Sequence, residues 1–180
     1  MNEPANRAKP GVDPAALAKA RKFLEEHDVQ FVLAQFVDIH GVAKSKAVPV
    51  AHLEDILTTG AGFAGGGVWG LGIKPHEAEY LMVGDIGTLT LMPWAPGYAR
   101  VMGTGMCGGR VHPLDSRNVL KLQADKLARR GLTLNAGLEP EFFLFKRTPD
   151  GGFAPFDETD TLAKAAYDYR GMSRVRTWSA

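Results

Sequence analysis

The chain has 180 residues, with 21 Lys and Arg against 20 Asp and Glu, a formal charge of +1 and 45% hydrophobic residues. That balance excludes a basic nucleic-acid binder and a disordered tail, and the length is enough to bury a sizeable core. The single cysteine, Cys107, excludes an internal disulfide, and no apolar stretch approaches the roughly 20 residues a membrane helix needs.

Residues 1–12 are polar and expected to be disordered. Met1 to Pro10 lacks the apolar stretch of a signal peptide, so the cytoplasm is the expected location. Asp13 is a good N-cap and Pro14 suits a first turn. With Leu17, Ala20, Phe23 and Leu24 at helical spacing, they predict an amphipathic helix over 14–27. Val29 to Asp38 is rich in β-formers and predicts a strand. Asp38-Ile39-His40-Gly41 predicts a turn in which Gly41 tolerates positive φ. Val42 to Val50 alternates apolar and polar residues and predicts the second strand of a hairpin. Pro49 ends that strand or confines it to an edge. A short helix over 52–57 and a glycine-dense loop over 60–72 follow. Strands are expected at 81–83, 87–92 and 98–102, with a turn over 103–109. Val119, Leu120, Leu122 and Leu127 trace a helix over about 116–130, and Gly131 caps it. A long strand over 132–146, a turn at 149–152 and a helix over 160–170 complete the chain. The pattern is an α+β unit with mostly antiparallel strands over about residues 13–108, and the opening of a second unit after it.

Few residue patterns carry chemistry. Gly103-Thr104-Gly105-Met106-Cys107-Gly108 has the letters G-x-G-x-x-G, but no helix opens directly behind it. It reads as a glycine-rich hairpin turn and not as a dinucleotide site. The 60–72 loop lacks G-K-[ST]; it is either a ligand-side loop or a surface connection, and Trp69 among the glycines favours packing. Cys107 has no neighbouring His or Asp to activate it. His27, His40, His52, His76 and His112 show no zinc spacing.

Glu139 and Glu141 differ from these. On a strand, residues i and i+2 share a face, so both carboxylates would project together, roughly 7 Å apart. Phe143 and Phe145 continue that face and make full exposure unattractive. The pair is either a metal or catalytic site, or two glutamates on a solvent face. As hard oxygen donors they point to Mg²⁺ or Mn²⁺ and away from zinc.

Gly137-Leu138-Glu139-Pro140-Glu141-Phe142-Phe143-Leu144-Phe145 resembles the E-x-E-F-F strand of the glutamine synthetase family. Four other segments resemble that family in the same order. They are Phe36-Val37-Asp38-Ile39-His40-Gly41; Gly84-Asp85 with Thr88-Leu89 and Met92-Pro93-Trp94; Pro113-Leu114-Asp115-Ser116-Arg117-Asn118-Val119-Leu120; and Tyr167-Asp168 with Gly171. The stretch from Trp69 to Arg100 looks most like the type III branch, which includes γ-glutamylmethylamide synthetases.

The resemblance implies an N-terminal β-grasp domain over 13–108 and, over 109–180, the first elements of a catalytic domain of antiparallel sheet and helices. It implies an ATP-dependent ligase that joins glutamate to ammonia or a small amine through γ-glutamyl phosphate. By position in the family, Glu139 and Glu141 would each feed one of two divalent ions. The implied full-length enzyme is a homo-oligomer. Where the family often reads F-D-G-S-S and uses the aspartate towards ammonium, this chain reads Phe63-Ala64-Gly65-Gly66-Gly67. Ala64 cannot accept a proton, and Glu77 or Glu79 are the substitutes within reach in sequence. Family chains are several hundred residues longer, so the reading is an incomplete, inactive N-terminal piece. The alternative is a β-grasp binding or regulatory module that associates with a full-length synthetase.

Overall fold

Asp13 opens the first helix as its side chain accepts from the Ala15 N–H at 3.1 Å, and α1 runs Pro14–Glu26. Here, in a computed structural model, residues 11–142 and 144–156 are described. The disordered lead expected at 1–12 falls largely outside them, as do the helix expected at 160–170 and the Tyr167-Asp168-Gly171 segment. Leu17, Ala20 and Leu24 form the buried face of α1, as their spacing requires.

The chain divides into two compact units, residues 1–134 and 135–180. In the first, the predicted hairpin forms. β1 (Phe31–Val37) pairs antiparallel with β2 (Ala43–Pro49), from Phe31 opposite Pro49 to Val37 opposite Ala43. Gly41 turns the chain at φ 76°, in the left-handed region that glycine enters without strain. β2 is the last strand on its side of the sheet and ends at Pro49, where a missing N–H breaks no ladder. Lys44 and Lys46 on that strand discourage pairing with another chain.

Then α2 (Leu53–Thr58) buries Leu53, Ile56 and Leu57. The glycine-dense segment is more structured than a loop: it holds β3 (Ala61–Phe63) and a 3₁₀ turn at Gly65–Gly67. β4 (Tyr80–Gly84) follows. The strand expected at 87–92 shrinks to β5 (Thr90–Leu91), because Ile86–Thr88 is a 3₁₀ turn capped by the Asp85 side chain.

The last large strand, β6 (Tyr98–Cys107), is twice as long as expected and organises the sheet. It lies parallel to β1, antiparallel to β4 and β5, and turns back into β7 (Arg110–Val111). The strand order is β2-β1-β6-β4-β3, a mixed seven-stranded sheet once β5 and β7 are added alongside β6. The expected turn over 103–109 is only Gly108-Gly109, both at positive φ. Gly103 and Gly105 are glycines for a different reason. A Cβ on Gly103 would meet the Met82 side chain and the Val83 backbone, and one on Gly105 would enter the Tyr80 ring. They permit close strand approach instead of turning the chain.

Phe36 joins the core through Phe63 and Tyr80, with ring centroids 5.0 and 4.9 Å away. Around these rings lie Leu24, Val32, Leu53, Ile56, Met82 and Val101. The third helix, α3 (Ser116–Ala128), closes this unit; Gly131 follows it at φ 72°.

The second unit contributes one described hairpin, β8 (Phe145–Arg147) with β9 (Phe153–Pro155). The strand expected over 132–146 is therefore corrected to its last residues. An extended segment becomes a strand only when a neighbouring strand takes up its N–H and C=O groups; the Leu132 N–H turns back to the Leu127 carbonyl at 3.1 Å, and among the described residues no strand pairs with 132–142.

Candidate functional site

Polar side chains converge where β4 and β6 meet the start of α3. Asp115 is 1% exposed, and both its oxygens are engaged. Oδ1 accepts from the Tyr80 hydroxyl at 2.8 Å, and Oδ2 accepts from the Asn118 N–H at 2.7 Å, capping α3. Burial, then the Asp115 carboxylate, pushes the Tyr80 phenol far above its ordinary value, so it remains a donor at any physiological pH. His112 packs edge-on to Tyr80, with centroids 6.0 Å apart.

One residue into the helix, Arg117 reaches back to the sheet. Its Nη2 donates to Asp85 Oδ2 at 2.7 Å and its Nη1 to Thr104 Oγ1 at 3.4 Å. The guanidinium holds the Asp85 carboxyl below the usual carboxylate range, against an opposing effect of burial. Thr88 extends the network: its hydroxyl donates to the Asp85 carbonyl at 2.6 Å and accepts from the Met102 N–H at 2.8 Å. So the Asp85/Thr88 and Asp115/Arg117 segments, separated in sequence, bond to each other. What they do here is attach a helix to a sheet.

At the hairpin tip, Asp38 is buried and accepts from the His40 and Val42 N–H groups at 2.9 and 3.0 Å, with Lys44 Nζ at 3.2 Å. Burial raises its pKa, but these donors and the lysine charge outweigh it, so the carboxyl titrates below its ordinary value.

A cleft of about 390 Å³ is lined by the segment Phe63 to Gly67 together with Ile73 to Pro75 and Glu77 to Glu79. Glu77 and Glu79, the substitutes considered for the acid missing at Ala64, both border the same cleft as Ala64. Glu77 Oε2 also accepts from the Lys74 N–H at 2.8 Å. Cys107 is half-buried and its thiol donates to the Ala78 carbonyl at 3.2 Å, the contact of a packed thiol. The letters G-x-G-x-x-G end in the β6–β7 hairpin.

Glu139 and Glu141 are exposed and lie on irregular backbone. Among the described residues no hydrogen bond or ion pair engages either carboxylate, and no group of three His, Cys, Asp or Glu side chains is close enough together to hold a metal. As unneutralised hard oxygen donors they fit Mg²⁺ or Mn²⁺ chemically. Two carboxylates do not complete six-fold coordination, so further ligands would have to join them.

Sequence reasoning passed over Tyr80. Its signal was faint: a tyrosine opening an apolar run, four residues before Gly84, whose partner at Asp115 is 35 positions away.

The sequence profile described as "Glutamine synthetase, catalytic domain" matches residues 113–177, beginning two residues before that Asp115 cap. Residues 113–177 therefore match the catalytic domain of glutamine synthetases, and most of the chain is similar to proteins of that kind. It is 48% identical over 162 residues to a "Glutamate--methylamine ligase" of Methyloversatilis universalis, covering 89% of this chain and 36% of that protein. To a "Glutamine synthetase" of Rhizobium leguminosarum bv. phaseoli it is 30% identical over 152 residues, covering 84% and 34%. Two solved structures, "GmaS/ADP complex-Conformation 1" and "Apo GmaS without ligand", superpose with TM-scores of 0.65 and 0.66. Their identities are 28% and 27%, over 86% and 88% of this chain but only 35% and 38% of theirs. The chain thus spans about a third of the length of the relatives it matches. No helix among the described residues is long and apolar enough to cross a membrane.

Proposed function

We propose that these 180 residues are part of an ATP-dependent ligase that joins the γ-carboxyl of glutamate to methylamine or ammonia. The carrying observation is the 48% identity over 162 residues to the methylamine ligase. In this reading residues 13–108 are the family's β-grasp domain and residues 109–180 begin its catalytic domain. A divalent ion, when bound, neutralises the charge that a carboxylate and a triphosphate accumulate on approach. Glu139 and Glu141 would hold such ions, because they are unpaired hard donors that no lysine or arginine competes for among the described residues. The cleft between Ala64 and Glu79 contributes a small-amine site, with Glu77 or Glu79 supplying the carboxylate. The assembled enzyme is a homo-oligomer in the cytoplasm.

Activity should require more than this chain, which matches 36% of the relative. A chimera joining these 180 residues to the rest of the Methyloversatilis protein tests the proposal. Expected are γ-glutamyl amide and ADP formation from glutamate, ATP and methylamine, and its loss in Glu139→Ala and Glu141→Ala chimeras. A folded chimera inactive with both methylamine and ammonia overturns the reading. Ligase activity by the 180-residue chain alone overturns the claim that more is required.

A second reading, a module that associates with a separate synthetase chain, is favoured by one observation. α3 carries Val119, Leu120 and Leu122 uncovered.

A further inference from the structure

His112 sits where the sheet hands over to α3, one residue before the stretch that matches the glutamine synthetase profile. It is 9% exposed and bonds in several directions at once. Its N–H donates to the Gly105 carbonyl at 2.8 Å, which holds it beside the Tyr80 ring that fills the space over Gly105. Its carbonyl accepts from the Asp115 N–H at 3.2 Å and from the Asn118 side-chain amide at 3.5 Å. Its ring Nδ1 accepts from the Leu114 N–H at 3.3 Å.

The last bond fixes the state of the ring. A backbone N–H can only donate, so Nδ1 carries no proton and the neutral ring keeps its hydrogen on Nε2. The same bond, from a side chain to the N–H two residues on, recurs at Asp13, Asp38, Asp85 and Asp150. There the acceptor is a carboxylate. An ordinary carboxylate stays an acceptor down to about pH 4, whereas an imidazole changes charge between about pH 5 and 8.

A proton on Nδ1 turns the acceptor into a donor facing another donor. It also places a positive charge at a largely buried position. The titratable and charged groups on the elements around the ring are Tyr80 on β4, Cys107 on β6, Arg110 on β7, and Asp115 and Arg117 at the start of α3. Cys107 bonds to the Ala78 carbonyl, and Arg117 pairs with Asp85. Asp115 is the anion of that set, and Tyr80 and Asn118 engage both its oxygens. A protonated ring that turns towards Asp115 competes with the Tyr80 hydroxyl, and one that turns away pulls on the 112–115 turn. Either movement loosens the bond that ties α3 to the sheet.

We propose that His112 is a pH-sensitive clasp. Unprotonated, its Nδ1 closes the 112–114 turn and seats Asp115 against Tyr80; protonated, it opens that turn and releases the start of α3 from the sheet. The clasp is independent of the ligase reading, and its test needs no activity.

The test follows the ¹⁵N-labelled 180-residue chain by NMR from pH 7.5 to 5.5, with amide hydrogen exchange scaled to intrinsic rates. At pH 7.5 the His112 ring nitrogens should show the Nε2–H tautomer. As the ring takes up its proton the Leu114 amide signal should move with it. Protection of residues 116–128 should be at least tenfold lower at pH 5.5 than at pH 7.5, with β1 unchanged. His112→Asn supplies a non-titrating acceptor at the same two-residue spacing, so α3 should stay protected at both pH values. Circular dichroism checks that this variant folds; should it not, the wild-type ring and Leu114 signals decide alone. The proposal is overturned by equal α3 protection at the two pH values, or by a ring that titrates without moving the Leu114 amide. It is equally overturned by a pH step that survives in His112→Asn, which would place its origin at His27, His40, His52 or His76.

Discussion

α1 and α3 are both 13 residues long, both start behind an aspartate N-cap, and both carry leucines at helical spacing. Yet α1 buries Leu17, Ala20 and Leu24 in the sheet core, while α3 buries nothing and is held at its first turn by Asp115 and Arg117. Local propensity and capping make a helix in either place. What a helix contributes to stability then depends on what lies against its apolar face.

The largest expected effect separates the two helices. Leu24 is fully buried, so Leu24→Ala should destabilise the chain by about 3 kcal/mol from lost burial and a residual cavity. Leu120→Ala should change stability by no more than ~0.5 kcal/mol. Urea denaturation midpoints compare them, and equal losses would end the distinction drawn between the helices.

Next comes the polar attachment. Tyr80→Phe leaves a buried carboxylate oxygen of Asp115 without its donor and should cost about 2 kcal/mol. Asp115→Ala also removes the α3 cap and should cost about 3 kcal/mol. If α3 is tied to the sheet in this way, Tyr80→Phe should raise amide hydrogen exchange in α3 as well as in β4. Unchanged exchange in α3 would show that the helix is held by something else.

Smaller still is the cap of α1, where Asp13→Ala should cost about 1 kcal/mol in thermal melts.

The subtlest test is pH. Asp38 and Asp85 both have folded pKa values below the unfolded value of about 3.9. A depressed folded pKa gives stability that is fully present above the unfolded value and is lost as pH falls through the folded one. Stability should therefore decline as pH falls below about 4. Asp85→Asn should flatten that decline while leaving Arg117 without its charge partner. A variant whose acid profile parallels the wild type would remove Asp85 from the account.

The two halves of the molecule also differed in how far they could be read. Asp13-Pro14 with its leucine spacing, the Asp38-to-Gly41 turn and the Pro49 stop produced α1 and the β1–β2 hairpin within a residue or two. Each rests on contacts between near neighbours. Gly103 and Gly105 misled, because a glycine kept for a close strand crossing has the same letter as a glycine kept for a turn. The 132–146 stretch misled in the opposite way: its β-rich composition is real, but composition supplies no partner strand. Glu139 and Glu141 were visible as residues and remain a proposed metal pair, since the ligands that would complete a site are not beside them among the described residues.

Residue order alone was enough for the helix caps, the hairpin and the family resemblance, because these depend on spacings of a few positions. The long reach of β6 along β1 and β4, the Tyr80–Asp115 hydrogen bond and the exposure of Val119, Leu120 and Leu122 came from folding in three dimensions. Each is a relation between residues tens of positions apart, or between a residue and the solvent, and burial and pairing at such distances are set by what the rest of the chain brings alongside.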